Sequence, residues 1–356
     1  MKSVNLKIGN RILKEGSDPY IIAEIGVNHE GDFDKAKKLI YEAKEGGADA
    51  AKFQSYKAST LASKNSPSYW DTNKEKTKSQ YELFKKFDSF NEKEYVALAE
   101  FCNSIDISFL STPFDNESID YLCPLVPFYK IASADITNVP FLRKVAKKNK
   151  PIILSTGASN LDEINFAIKT IKDCKNNEIG LLHCILNYPT NNIDANLSMI
   201  TSLKEKYPDY IIGYSDHTLP DKDMNVLIVA YLLGSQIIEK HFTDDKTKKG
   251  NDHYHAMDIN DLKNFKNQLK KYKTILGNEK TKKPLLNEEI SRKNARRSIV
   301  LNSSVQSGQI LTESDLTYKR PCSGISTTHW DEVIGRKSKY NLDKDHILKW
   351  EDLLDI

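Results

Sequence analysis

The chain is short of arginine, of long apolar runs and of any excess of one charge. Its 52 basic residues are nearly matched by 49 acidic ones, for a formal net charge of +3. That bias is too weak to argue for nucleic acid, and no stretch interleaves aromatics with arginines. The abundant lysines, as in Lys144–Lys150 and Lys270–Lys283, read as solvated helix faces. The longest apolar run, Val226–Leu233, falls far short of a bilayer span. The opening residues, Met1 to Lys7, lack the apolar core of a signal peptide. Five cysteines (Cys102, Cys123, Cys174, Cys184, Cys322) are odd in number and show no paired metal spacing, which fits reduced thiols. These absences point to a cytoplasmic protein with no membrane or nucleic-acid partner.

With 356 residues, 39% hydrophobic and 28% charged, the chain can hold one large domain, or a large one and a small one. Strand-like runs alternate with amphipathic ones from about residue 20 to about residue 275. The strands read as 20–27, 50–54, 108–111, 128–132, 151–155, 179–184, 210–214 and 236–239. The helices read as 34–45, 92–104, 116–125, 140–149, 161–174, 197–206, 223–233 and 260–276. Asp115 and Asn160 stand where helix N-caps belong. Eight such pairs over about 250 residues predict a (β/α)8 TIM barrel. A doubly wound sheet is the alternative, but residues 24–31 after the first strand lack its Gly-rich phosphate turn. Residues 1–19 read as a hairpin plugging the barrel's bottom. Residues 57–90, with Tyr69, Trp70 and Tyr81, form a loop long enough to be functional or mobile. The barrel domain is expected over 1–277, a linker over 278–297 and a small domain over 298–356 with strands at 298–301 and 346–350.

In a parallel barrel the carboxyl ends of the strands line the catalytic mouth. There the chain delivers Glu24 and Asn28, Lys52 and Gln54, Ser111 and Thr112, Lys130 and Ser133. Ser155 and Thr156, His183 and Asn187, Ser215 and His217, and Glu239 and His241 complete the set. His217 and His241 hold matching places on neighbouring strands, where two imidazoles can share a metal with positions open to substrate. The competing reading is a pair of hydrogen-bonded core histidines. Such a donor set suits manganese, with magnesium, cobalt and zinc also open. Lys52 and Lys130 end apolar strands, where an ammonium needs an anion, and the hydroxyls around them suit a phosphate plus a carboxylate. A Schiff-base lysine is the other possibility. In the loop after strand eight Asp252 is the preferred substrate contact, whereas His253 and His255 are left to solvent.

Several stretches resemble the sialic acid synthase family: AEIGVNHEG at 23–31, FLSTPF at 109–114, YKIAS at 129–133, ILSTG at 153–157, LHC at 182–184, GYSDHT at 213–218 and EKHFT at 239–243. Lys319–Arg320–Pro321 and Gly324–Ile325 are similar to that family's antifreeze-like (SAF) carboxyl-terminal domain. The resemblance implies condensation of phosphoenolpyruvate with the open-chain aldehyde of an N-acetylmannosamine-like sugar. The products are a nine-carbon 2-keto acid (N-acetylneuraminate, legionaminate or pseudaminate) and phosphate. It assigns the metal to His217 and His241, and phosphoenolpyruvate contacts to Lys52, Thr112, Lys130, Ser133, Ser155, Asn187 and Ser215. Sugar contacts fall to Gln54, Tyr188, Asp252 and Arg320, with Glu24 at the reacting centre. It also implies a domain-swapped homodimer in which Arg320 acts on the partner's barrel, a reach that a 20-residue linker of up to roughly 65–70 Å allows.

Four departures from that pattern lie on the sugar side: Asp135 in place of Glu, Asn251 in place of Pro, the His253–Tyr254–His255 cluster, and Cys322–Ser323 in place of a Gly-containing turn. They direct attention to a 2,4-diacetamido-trideoxy sugar as acceptor. Two other classes compete: a metal-dependent pyruvate aldolase or lyase, which needs no phosphate pocket, and a non-catalytic carbohydrate-binding protein, which needs no metal.

Overall fold

Short, mostly buried runs form the eight expected strands: β1 (Tyr20–Gly26), β2 (Ala50–Ser55), β3 (Ser108–Pro113), β4 (Tyr129–Ile131), β5 (Ile152–Ser155), β6 (Ile179–Cys184), β7 (Ile211–Asp216) and β8 (Ile237–His241). Every residue of β1, β6, β7 and β8 is buried, as a strand covered on both faces requires. The computed structural model describes residues 4–70, 72, 75–249, 252–279 and 281–354, so Asn251 lies outside it. All strand pairs in this sheet are parallel, in the order β3-β2-β1-β8-β7-β6-β5-β4. The terminal strands β3 and β4 pack side by side, which rounds the sheet into a barrel. The doubly wound alternative is thereby overturned.

Helices α1 (Phe33–Gly46), α2 (Glu92–Ser104), α3 (Asn116–Leu122), α4 (Val139–Ala146), α5 (Leu161–Asp173), α6 (Ser198–Lys206), α7 (Asn225–Leu232) and α8 (Ile259–Leu276) alternate with the strands. The starts follow local chemistry. Asp32, Asp115 and Asn160 each accept a hydrogen bond from the backbone three residues on. Gly47 closes α1 in the left-handed conformation (φ 94°) that its missing Cβ permits. At Gly213 in β7 a Cβ would come within 2.5 Å of the Ile237 carbonyl oxygen and of a Leu182 methyl, so only glycine lets these strands approach.

The chain separates into two compact units, Met1–Leu276 and Gly277–Ile356. In the first, strands Asn5–Ile8 and Arg11–Lys14 form the expected hairpin. Its Leu6, Ile8 and Leu13 join the barrel core, and Leu6 lies against Gly180 at the amino-terminal end of β6. The long loop after β2 carries two short helices, Ala58–Leu61 and Gln80–Lys85. No helix among the described residues is long and apolar enough to cross a membrane.

The second unit pairs β9 (Ser298–Leu301) antiparallel with β10 (Leu316–Lys319) over its own core, which includes Ile299, Leu301, Leu311, Ile325, Val333 and Leu348. The stretch 346–350 makes only an isolated bridge, Ile347 with Val300, before a 3-10 turn at Trp350–Asp352. Within 278–297, expected as bare linker, lies a helix at Glu289–Ala295. The Lys293 carbonyl there accepts a hydrogen bond from the Cys322 amide, which anchors that helix within this unit.

Candidate active site

Strand parity places the reactive groups. On β7 and β8, Ser215 and His217, and Glu239 and His241, sit two apart and so share a face, and Glu239 is in register with Ser215. On the adjoining pair Glu24 is in register with Lys52, and His241 with Glu24. These side chains meet in a cavity of about 550 Å³. Its floor is an ionic network. Lys52 pairs with Glu24, donates to Thr112 Oγ1 at 3.0 Å and lies 3.6 Å from Glu239. Lys130 approaches Glu239 at 3.3 Å, and the Ser215 hydroxyl donates to the same carboxylate at 2.9 Å. Glu24 also accepts from Gln54 Nε2 at 3.0 Å.

Burial splits the two carboxyls. At Glu24 burial dominates; Lys52 opposes it, Glu239 reinforces it, and the pKa rises above the usual carboxylate range. At Glu239 burial pushes the same way, but Lys130, Lys52 and the Ser215 hydroxyl outweigh it and hold the pKa down to about 2. Of the two carboxyls, Glu24 is therefore the one that more readily takes up a proton. Ser155 Oγ is buried without a hydrogen-bond partner among the described residues, and Glu239 Oε2 has Lys52 only at 3.6 Å, whereas Glu24 Oε2 is taken by the Lys52 ammonium. Beside a cavity, such groups are available to a ligand.

Above the floor the rings of His217 and His241 stand 5.5 Å apart, both buried and both lining the cavity. His217 Nδ1 lies 2.8 Å from the Ile185 carbonyl oxygen, so it donates there and its Nε2 lone pair is left to ligate. Asp252 Oδ2 lies 3.2 Å from His241 Nδ1, and His241, Asp252 and His255 bring ligand atoms within 4.8 Å of one another. His241, Asp252 and His255 form a cluster that fits a divalent cation, and His217 lines the same cavity. Both rings are buried and have polar partners, as the competing reading of a hydrogen-bonded core pair expects, but both also line the cavity.

Of the expected site residues, Glu24, Lys52, Gln54, Thr112, Lys130, Ser133, Asp135, Ser155, Tyr188, Ser215, His217, His241 and Asp252 all line the cavity. Asn187 is exposed and does not. Arg320 is an exposed residue of the second unit. Among the other strand-end groups, His183 points away and lies 2.8 Å from the Ala195 carbonyl oxygen; Ser111 bonds Ser55, Thr156 donates to the Leu182 carbonyl and Asn28 to the Phe242 carbonyl. The view of His253 and His255 as solvated is wrong: both are fully buried, His253 beside Thr243 Oγ1 at 2.7 Å. Burial pushes His255 well below the ordinary imidazole pKa and keeps it neutral. Sequence reasoning undervalued Glu239, although its spacing from His241 gave the signal. It also named no contact in the loop after β2, whose Leu61, Tyr69, Trp70, Phe84 and Phe87 form one wall.

Residues 39–281 match the NeuB family and residues 296–354 match the SAF domain. The chain belongs to the NeuB family. It is 40% identical to the N,N'-diacetyllegionaminic acid synthase of Legionella pneumophila over 358 residues, 98% of this chain and 99% of that protein. Identity to the pseudaminic acid synthase of Helicobacter pylori is 33% over 345 residues, 94% and 98% of the two chains. The crystal structure of the N-acetylneuraminic acid synthetase of Leptospira borgpetersenii, in complex with citrate, superposes with a TM-score of 0.70 at 34% identity, over 81% of this chain and 95% of that one. The protein is thus a transferase-type enzyme of the sialic-acid-type synthases, a barrel followed by a SAF domain.

Proposed function

We propose that this NeuB-family enzyme condenses phosphoenolpyruvate with the open-chain aldehyde of an N-acetylated amino sugar, consuming water and releasing phosphate and a nine-carbon 2-keto acid. The observation that carries the reading is the pair of buried ammonium groups, Lys52 and Lys130, clasping Glu239 directly beneath two histidines on adjoining strand ends. The lysines, with Thr112, Ser133, Ser155 and Ser215, hold the donor's carboxylate and phosphate and fix its enol carbon for attack. His217 and His241 would hold a divalent cation, which when bound would supply Lewis acidity toward the aldehyde oxygen. Manganese suits that role, with magnesium and cobalt as substitutes. Glu24, beside Lys52, stabilises the positive charge that develops at the phosphate-bearing carbon and accepts the proton of the water that captures it.

The acceptor is a neutral 2,4-diacetamido-trideoxy sugar, as the name of the Legionella relative suggests. Apart from histidines, the cationic side chains among the described lining residues are Lys52 and Lys130, both already engaged, so a sugar phosphate finds no second clamp. The apolar and aromatic wall of the loop after β2 supplies surface for acetamido methyl groups. The reading includes a cytoplasmic homodimer, which sedimentation at twice the chain mass checks. Mass spectrometry tests the chemistry, with phosphoenolpyruvate offered N-acetylmannosamine, its 6-phosphate and diacetamido sugars in turn. The diacetamido sugar is expected to give the nine-carbon acid with one phosphate released per product. Turnover with pyruvate in place of phosphoenolpyruvate would refute the reading.

A further inference from the structure

His255 is a residue for which the reading above has no use. It is fully buried, yet neither ring nitrogen finds a hydrogen-bond partner among the described residues. Its closest charged neighbour is Asp252, whose Oδ1 lies 3.8 Å from Nε2, beyond hydrogen-bond reach. Leaving a buried imidazole unpaired on both sides is costly unless something binds there.

Two of the neighbouring rings are imidazoles. The His255 ring centre stands 4.9 Å from that of His241 and 6.4 Å from that of His217, and those two are 5.5 Å apart. A nitrogen bound at about 2.0–2.1 Å puts its ring centre roughly 3.2 Å from the ion, so two rings on one ion stand roughly 4.5–5.3 Å apart. Two of the three spacings fall within about 0.2 Å of that range, and the third needs a shift of about an ångström. Asp252, which itself lines the cavity, faces both His241 and His255. A carboxylate facing two imidazoles can hold both rings in the orientation a ligand needs.

We propose that His255 is a third imidazole ligand of the cation held by His217 and His241, with Asp252 as the carboxylate that orients His241 and His255. The inference rests on the reading that those two histidines hold a cation. A three-nitrogen site ranks cobalt and zinc far above magnesium, whereas a two-histidine site completed by water and substrate oxygens discriminates less.

Cobalt titration of the full-length protein tests this without reference to turnover. In His255→Asn, Co²⁺ binding is expected to weaken at least tenfold, and X-ray absorption of the Co²⁺-loaded wild-type protein to count three imidazoles. Wild-type affinity in His255→Asn, with binding lost in His217→Asn and His241→Asn, would overturn this proposal and leave the two-histidine reading standing. Unchanged affinity in all three variants would bring down both. If His255→Asn fails to fold, the absorption count on the wild-type protein decides alone: three imidazoles sustain the assignment and two overturn it.

Discussion

Two ionic clusters meet on β8 through the adjacent residues Glu239 and Lys240, and they are built to opposite ends. The inward cluster joins Lys52, Lys130, Glu24 and Glu239, and it leaves one Glu239 oxygen without a hydrogen-bond partner among the described residues. The outward cluster pairs Asp216 with Lys240, each 1% exposed at the side chain. Asp216 also accepts from the Tyr214 hydroxyl at 2.9 Å, from the Thr218 amide at 2.9 Å and from the Thr218 hydroxyl at 3.1 Å. Lys240 gives a further hydrogen bond to the Thr218 carbonyl. Because these residues immediately precede His217 and His241, the outward pair bolts together the two strand ends that carry the imidazoles. Buried charge alone does not mark a reactive site. Incompletely satisfied buried charge beside a cavity does.

Four experiments sharpen or break this contrast. The largest effect is expected from His217→Ala or His241→Ala, which should lower phosphoenolpyruvate-dependent phosphate release by about 10⁴-fold while the melting temperature holds. Lys240→Met should act in the reverse sense. It strands a buried carboxylate and costs about 3–5 kcal/mol of stability in denaturant titrations, most of which Asp216→Leu in the same chain should restore. Lys52→Met should fall between, with kcat/KM for phosphoenolpyruvate down roughly a hundredfold and a smaller loss of stability, because Glu24 can hold a proton. A stability loss equal to that of Lys240→Met would erase the distinction.

The smallest effect is a pH trend in melting temperature. Glu239 is depressed in the folded state, so its contribution to stability is complete above the unfolded value near 4.3. It should disappear as pH falls toward about 2, and Glu239→Gln should flatten that limb of the profile.

The barrel was legible because short apolar strand runs alternate regularly with longer helical ones, and all eight of each lie within three residues of the expected bounds. Most of the site was legible too, since strand ends must converge. The misreadings have physical causes. His183 precedes Cys184, and Cys184 lies in register with inward-facing Ser215; one step of parity therefore turns His183 outward. The register shift between Glu24 and Gly26 breaks the alternation beyond β1, so Asn28 ties down the Phe242 carbonyl instead of facing the cavity. His255 lies in a 3-10 turn after β8, where no repeat in the sequence tells a buried ring from a wet one. The helix at Glu289–Ala295 is a single short stretch with exposed apolar positions such as Ile290, too brief to show a period.

The alternation along β7 and β8 makes strand length a stricter inheritance than strand composition. Losing or gaining one residue ahead of Ser215 would carry the Asp216 carboxylate into the chamber and drive the His217 ring into the packed layer behind it. Such a slip would take away a ligand and a fastening in one event, whereas the loops above can lengthen, shorten and change acceptor without disturbing either.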